Sequence, residues 1–214
     1  MQPQAVIFDL DGVLCDTSEY HYQAWKHLAD DEGIPFSRAE NDQHLRGVGR
    51  RESLMFIIRG RQYTENQVQE MMARKNRYYL QLVEQMTPQD LVPGGRELLE
   101  QLRSAGIKKA IASGSKNCRL VLDRLGITDL FDGIADGNSI TRSKPAPDVF
   151  VWAAGRVDVA CNACLGIEDA NDGIIAIRTA GMRTLGVGPA ERFTPLPDKL
   201  LPSFAHVNLQ DLIF

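Results

Sequence analysis

The chain has 214 residues, 43% of them hydrophobic and 24% charged, close to the averages of soluble globular domains and enough to bury a full core with a modest insert. A formal net charge of −4 leaves no basic footprint for a phosphate backbone, so no nucleic-acid partner is expected. No window reaches the roughly 18 consecutive apolar residues of a membrane span, and MQPQAVIFDLDG carries no basic segment ahead of a long apolar stretch; a cytoplasmic protein without membrane contact is expected.

In chain order, the first predicted strand is the apolar run at residues 5–8, which ends in Asp9-Leu10-Asp11-Gly12. Period-two alternation turns the carboxylates of Asp9 and Asp11 to the same side as the chain leaves the sheet. One acid can then attack phosphorus while the other passes a proton to or from a substrate oxygen. Gly12 allows a tight turn and a close backbone approach to phosphate. Alone, such a pair is more often two solvated turn aspartates.

Residues 17–87 hold helical segments, clearest at 22–31 and 66–85 with a turn at 47–49, and no strand. Trp25, Tyr20 and Tyr22 at helical spacing read as packing, as do Met71, Met72 and Met86. The alternation of helix and strand resumes at Val92-Pro93-Gly94 with a helix at 94–105 and a strand at 109–112. Ser113-Gly114-Ser115-Lys116-Asn117 follows, offering hydroxyl, amide and helix N-terminal donors to a phosphate, or simple caps to the helix at 119–125. A strand at 133–135 precedes Lys144-Pro145, whose ammonium can offset phosphoryl charge, and a helix at 148–157. The strand at 164–167 ends in Glu168-Asp169, hard oxygen ligands for Mg²⁺ together with Asp9, or N-terminal charges for the helix at 173–180. A strand at 184–187 completes the series. The four cysteines are too few for a disulfide scaffold, and Cys161-x-x-Cys164 lacks the partners of a zinc site, so reduced thiols are expected.

Strands alternating with helices imply an α/β fold on a parallel sheet, with residues 1–16 and 88–214 as the core and 17–87 as a small all-helical cap inserted after the first strand. Ligands of open parallel sheets sit beyond the carboxyl ends of the strands, where the polar residues above collect, so the active site is expected between cap and core. Together they supply nucleophile, acid/base, phosphate donors, cation and metal ligands.

These residues resemble the four motifs of the haloacid dehalogenase-like superfamily, in the same order, at Asp9-Leu10-Asp11-Gly12, Ser113, Lys144 and Glu168-Asp169. The resemblance spans essentially the whole chain. It implies a Rossmann-like core with a helical cap, Asp9 as nucleophile and Asp11 as general acid/base. It also implies Mg²⁺ held by Asp9, the backbone carbonyl of Asp11, Glu168 and Asp169. Further strings are most similar to the β-phosphoglucomutases: FDLDGV-x-x-DT with Glu19-Tyr20-His21 and Ala24-Trp25, Leu45-Arg46-Gly47-Val48-Gly49-Arg50, Arg74-Lys75-Asn76, and Ser143-Lys144-Pro145-Ala146-Pro147-Asp148.

That resemblance implies a small sugar-phosphate substrate and an enzyme exchanging β-D-glucose 1-phosphate with glucose 6-phosphate through a 1,6-bisphosphate; a monomer is expected. His21, Arg46, Gly47, Val48, Arg50, Ser53, Lys75 and Asn76 then hold the substrate from the cap, and Ser113, Gly114, Ser115, Asn117 and Lys144 from the core. The family's cap turn usually reads Leu-Lys-Gly-x-Ser-Arg, where this chain has Arg46 and Gly49. In the family, that lysine works with the histidine matching His21 to report substrate binding; Arg46 keeps the charge on a larger planar head. The rival readings are a Mg²⁺-dependent sugar-phosphate phosphatase, a mutase for another phosphorylated sugar and, at a distance, a non-catalytic sugar-phosphate sensor.

Overall fold

The computed structural model describes residues 2–45 and 48–213. Its regular elements are β1 (Ala5–Phe8), α1 (Ser18–Asp31), α2 (Arg38–His44), α3 (Arg50–Ile57), α4 (Glu65–Val83), α5 (Gly95–Ser104), β2 (Lys108–Ala112), α6 (Cys118–Leu125), β3 (Gly133–Ala135), α7 (Asp148–Arg156), β4 (Cys164–Glu168), α8 (Asn171–Thr179), β5 (Arg183–Val187) and β6 (Lys199–Leu201). They divide into two compact units, Met1–Asp16 with Thr87–Phe214, and Thr17–Met86.

The first unit is a parallel sheet in the order β3-β2-β1-β4-β5-β6, the Rossmann-like arrangement expected. β1 lies at its centre, with Ala5 level with Lys108 on one side and Cys164 on the other. It is buried on both faces, which is why its sequence is unbroken apolar rather than alternating. The predicted strands fall on β1 to β5, with ends that differ by no more than a single residue. β6 is additional: a three-residue edge strand of mixed burial, with no buried apolar run to mark it. α7 packs on β2 and β3, and α8 on β4 and β5; Ala5, Ile7, Ala110, Val149, Phe150, Ile174 and Ile177 share that core. The strand order reverses between β1 and β4, so the connections leaving these two strands diverge and open a crevice at their carboxyl ends.

The second unit is all helical among its described residues. α4 buries Val68, Met71, Lys75, Tyr79 and Val83, a stripe at three- and four-residue spacing that faces the other helices. Trp25, Leu28, Leu54, Ile57, Val68 and Met71 form its core. Capping boxes start α2 at Ser37 with Glu40, and α4 at Thr64 with Gln67, satisfying donors that the first turn leaves open. Lys75 stands within an otherwise apolar or aromatic stripe. Among the described residues no helix is long and apolar enough to cross a membrane.

Candidate active site

β1 and β4, neighbours in the sheet, deliver acids to the crevice side by side. The Asp9 backbone N–H donates to the Ile167 carbonyl at 3.0 Å, which carries the pairing one residue past β1 and aligns Asp9 with the end of β4. Asp9, Glu168 and Asp169 are all buried, and one carboxylate oxygen from each lies within 4.8 Å of the others. Lys144 Nζ bridges the first two, 2.6 Å from Asp9 Oδ1 and 2.6 Å from Glu168 Oε1. Glu168 Oε2 accepts the backbone N–H groups of Asp169 and Ala170 at 2.7 and 2.8 Å, so the start of α8 fixes its orientation. The Lys144–Pro145 peptide bond is cis.

Crowded acids perturb each other's protonation. Burial raises the Asp9 carboxyl well above the ordinary carboxylate value; Lys144 opposes this, while Glu168 and Asp11 add to it. Burial alone would lower Lys144, yet the Asp9 and Glu168 carboxylates hold its ammonium above the usual lysine range. Two glycines make room for the cluster. A Cβ on Gly173 would lie 1.9 Å from Glu168 Oε1, and one on Gly12, where φ is +84°, would lie 2.3 Å from Asp169 Oδ2. Three convergent carboxylates with one ammonium are a hard-oxygen set that a divalent cation fits in chemistry and charge.

The neighbouring strand β2 leads into the second part of the site. Ser113 is buried and donates its backbone N–H to Ala135 at the end of β3. Its Oγ accepts the Ser115 N–H at 3.1 Å, and Ser115 Oγ accepts the Asn117 N–H at 3.2 Å. Residues 113–117 are thereby wound into a compact turn ahead of α6. Gly114 is exposed, and a Cβ there would meet nothing within 4 Å. Asn117 precedes α6 at its N-cap, where its side chain makes no capping bond.

Within the helical unit, the structure brings His21 on α1 and Lys75 on α4 together: Lys75 Nζ is 2.7 Å from His21 Nδ1. The imidazole stacks on Tyr79, centroids 4.2 Å apart, and the ammonium stands over Trp25 and Tyr79 at 4.8 and 5.0 Å. Desolvation, with Lys75 and Arg50 close by, pushes His21 well below its ordinary pKa. A neutral ring accepting at Nδ1 carries its proton on Nε2 and can donate from there. Arg50, at the start of α3, is likewise lowered by desolvation. Ser53 is buried and bonds the Val48 carbonyl at 3.4 Å, while Val48 is 40% exposed. Asn76 follows Lys75 on α4 and is half-buried. Arg46 and Gly47 lie outside the described residues.

Sequence reasoning missed two contributors to the core site. Arg192, in the turn after β5, places Nη1 3.5 Å from Asp169 Oδ2; only the rule that polar groups beyond any strand end face the crevice could have singled it out. Gly173 has no sequence signature, because its role comes from the packing of α8 against β4. Trp25, set aside as packing, is in the helical core and also forms the shelf beneath Lys75.

Comparison with known proteins places this geometry in context. Residues 3–181 match the model of a family described as haloacid dehalogenase-like hydrolase. The chain is 47% identical over 192 residues to a β-phosphoglucomutase of Bacillus subtilis, covering 88% of this chain and 84% of that protein. It is 31% identical to a phosphorylated carbohydrates phosphatase of Thermotoga maritima, over 85% of this chain and 83% of that one. A crystal structure of a β-phosphoglucomutase from Clostridium difficile superposes with a TM-score of 0.91 at 38% identity, covering 97% of this chain and 94% of the other.

Proposed function

Because the chain belongs to the haloacid dehalogenase-like hydrolases, we propose that it is a β-phosphoglucomutase, interconverting β-D-glucose 1-phosphate and glucose 6-phosphate through an aspartyl phosphate on Asp9 and a 1,6-bisphosphate. Its near full-length similarity to mutases supports this reading. The observation that carries it is that each unit has a desolvated cation of its own: Lys144 among the acids of the sheet unit, and Lys75 beside His21 in the helical unit. An intermediate with two phosphates uses both, whereas hydrolysis of a monophosphate needs only the first.

In this mechanism the phosphorylated Asp9 meets the 6-hydroxyl of the sugar. Asp11 accepts the hydroxyl proton as the oxygen attacks phosphorus, the bond from phosphorus to Asp9 breaks, and the 1,6-bisphosphate results. After the intermediate turns round, Asp9 attacks the phosphorus at C1 and Asp11 returns the proton to the departing sugar oxygen as glucose 6-phosphate forms. Ser113, Gly114, Ser115 and Asn117 hold the transferring phosphate, and Lys144 offsets charge as it accumulates. Lys75, Arg50 and Asn76 take the other phosphate and sugar hydroxyls. Asp9, Glu168 and Asp169 would hold Mg²⁺, which supplies charge neutralisation for the phosphoryl oxygens when bound.

The test is incubation with Mg²⁺, β-glucose 1-phosphate and a trace of the 1,6-bisphosphate, following glucose 6-phosphate and free phosphate together. Glucose 6-phosphate with little free phosphate is expected. Dominant release of free phosphate would replace the mutase by a sugar-phosphate phosphatase.

A further inference from the structure

The turn that carries Ser113 and Ser115 does not hold its position unaided. The segment after β3 folds round Asp136, whose Oδ1 accepts the Asn138 N–H at 2.9 Å and the Ser139 hydroxyl at 3.1 Å. From this small knot two bonds reach across to the phosphate turn: Gly137 N–H to the Ser115 carbonyl at 3.1 Å, and Asn138 Nδ2 to the Lys116 carbonyl at 3.4 Å. The backbones are so close that a Cβ on Gly137 would lie 2.3 Å from the Gly114 carbonyl oxygen and 3.0 Å from the Lys116 nitrogen. The first distance is about 1 Å short of an ordinary van der Waals contact. Both obstacles are backbone atoms, so a side chain at 137 can be accommodated only if one segment moves.

We propose that Gly137 is a positioning residue, and that the 136–139 segment, through the absence of a Cβ there, sets where residues 113–117 hold the transferring phosphate. The inference rests on reading 113–117 as the phosphate turn of the proposed reaction. A bound phosphoryl group requires the Ser113 and Ser115 donors to converge, and a displacement of about 1 Å at such a site costs up to roughly a hundredfold. Because Gly137 meets the turn rather than Asp9, Glu168 or Lys144, its substitution acts on phosphate binding first.

The experiment compares wild type, Gly137→Ala, Asn138→Ala and, as a control, Gly155→Ala, where a Cβ meets nothing within 4 Å. The inhibition constant for inorganic phosphate and its dissociation constant by calorimetry are measured alongside KM, kcat and thermal midpoint. For Gly137→Ala, KM and both phosphate constants should rise about tenfold or more with a smaller fall in kcat, and Mg²⁺ affinity should stay within twofold. Asn138→Ala should shift the phosphate constants the same way by about twofold to fivefold, and Gly155→Ala should leave them unchanged. A folded Gly137→Ala with phosphate constants within twofold of wild type overturns the proposal. If Gly137→Ala does not fold, unchanged constants in Asn138→Ala overturn it instead. Calorimetry with phosphate needs no turnover, so a chain inactive as a mutase that still shows these shifts would sink the mutase reading and leave this inference standing.

Discussion

Replacing Asp9 by Asn should abolish turnover and, in metal-free buffer, stabilise the fold. At an effective dielectric of about 20, Lys144 at 2.6 Å attracts the Asp9 carboxylate by about 6 kcal/mol. Glu168 and Asp169, with oxygens within 4.8 Å, each repel it by about 3.5 kcal/mol or more. These Coulomb effects roughly cancel, and the remaining desolvation cost of a buried carboxylate decides the sign, in keeping with the raised pKa of Asp9. A neutral isostere escapes that cost. We expect a gain of about 1–2 kcal/mol at pH 8, or roughly 2–8 °C in midpoint for a chain of this size. A group whose pKa is raised on folding favours the fold below its unfolded value and loses that contribution as pH rises through the folded value. The gap between variant and wild type should therefore close as pH falls toward the ordinary carboxylate range. Saturating Mg²⁺ should narrow it too, by binding wild type more tightly. Thermal melts of both proteins in chelator and in Mg²⁺, from pH 4.5 to 8, would check this; a variant less stable than wild type in chelator at pH 8 would refute the balance of charges.

Gly173→Ala puts a methyl group where Glu168 Oε1 now lies, so divalent-cation affinity by calorimetry should fall roughly tenfold to a hundredfold, as for the loss of a ligand's support. Alanine otherwise favours a helix by about 1 kcal/mol over glycine, and so a collapse of the fold rather than of binding would count against it. His21 is held neutral by its surroundings; a pKa lowered on folding contributes stability above the unfolded value of about 6.5 that is lost as pH falls. His21→Gln should thus flatten the decline of the thermal midpoint between pH 7 and 5, and equal slopes would exclude the effect. Lys75→Met removes the donor that His21 Nδ1 accepts from, a cost of about 1–3 kcal/mol, so the thermal midpoint should fall by several degrees, while kcat/KM for the mutase falls about 10–100-fold on loss of a charged hydrogen bond. Stopped assays on β-glucose 1-phosphate, counting both products, would test this.

How much of this was legible in the sequence depended on whether a feature was local. β1 and β4 are covered on both faces, so each wrote a continuous apolar run, and the polar residue closing that run marked the crevice. Asp9, Ser113 and Glu168 could be read because each closes or directly follows a strand, whereas Lys144, in the loop between β3 and α7, gained meaning only from its company with the other three. β6 left no such mark: Lys199–Leu201 is a short edge strand with mixed burial, held by its neighbour β5 and by Lys199 reaching the carbonyls of Asp211 and Ile213. Lys75 and His21 could each be picked out as site residues, but their pairing could not, because they lie 54 positions apart and meet only once α1 packs on α4.

The least legible residues are those that act by having no side chain. Glu168 can be recognised as a ligand from its type and position, yet it reaches Lys144 only because residue 173 is glycine; Asp169 has its place because residue 12 is glycine, and the phosphate turn has its place because residue 137 is. Each is a position where the partner is a carboxylate or a backbone segment brought close by the tertiary fold, so the requirement exists only in three dimensions. The consequence is an asymmetry in how this site tolerates change. Replacing an acid removes a function outright, whereas adding a single methyl group at 12, 137 or 173 leaves every reactive group in the sequence and moves it by about an ångström. That distance is enough to separate a near-attack arrangement from an unproductive one.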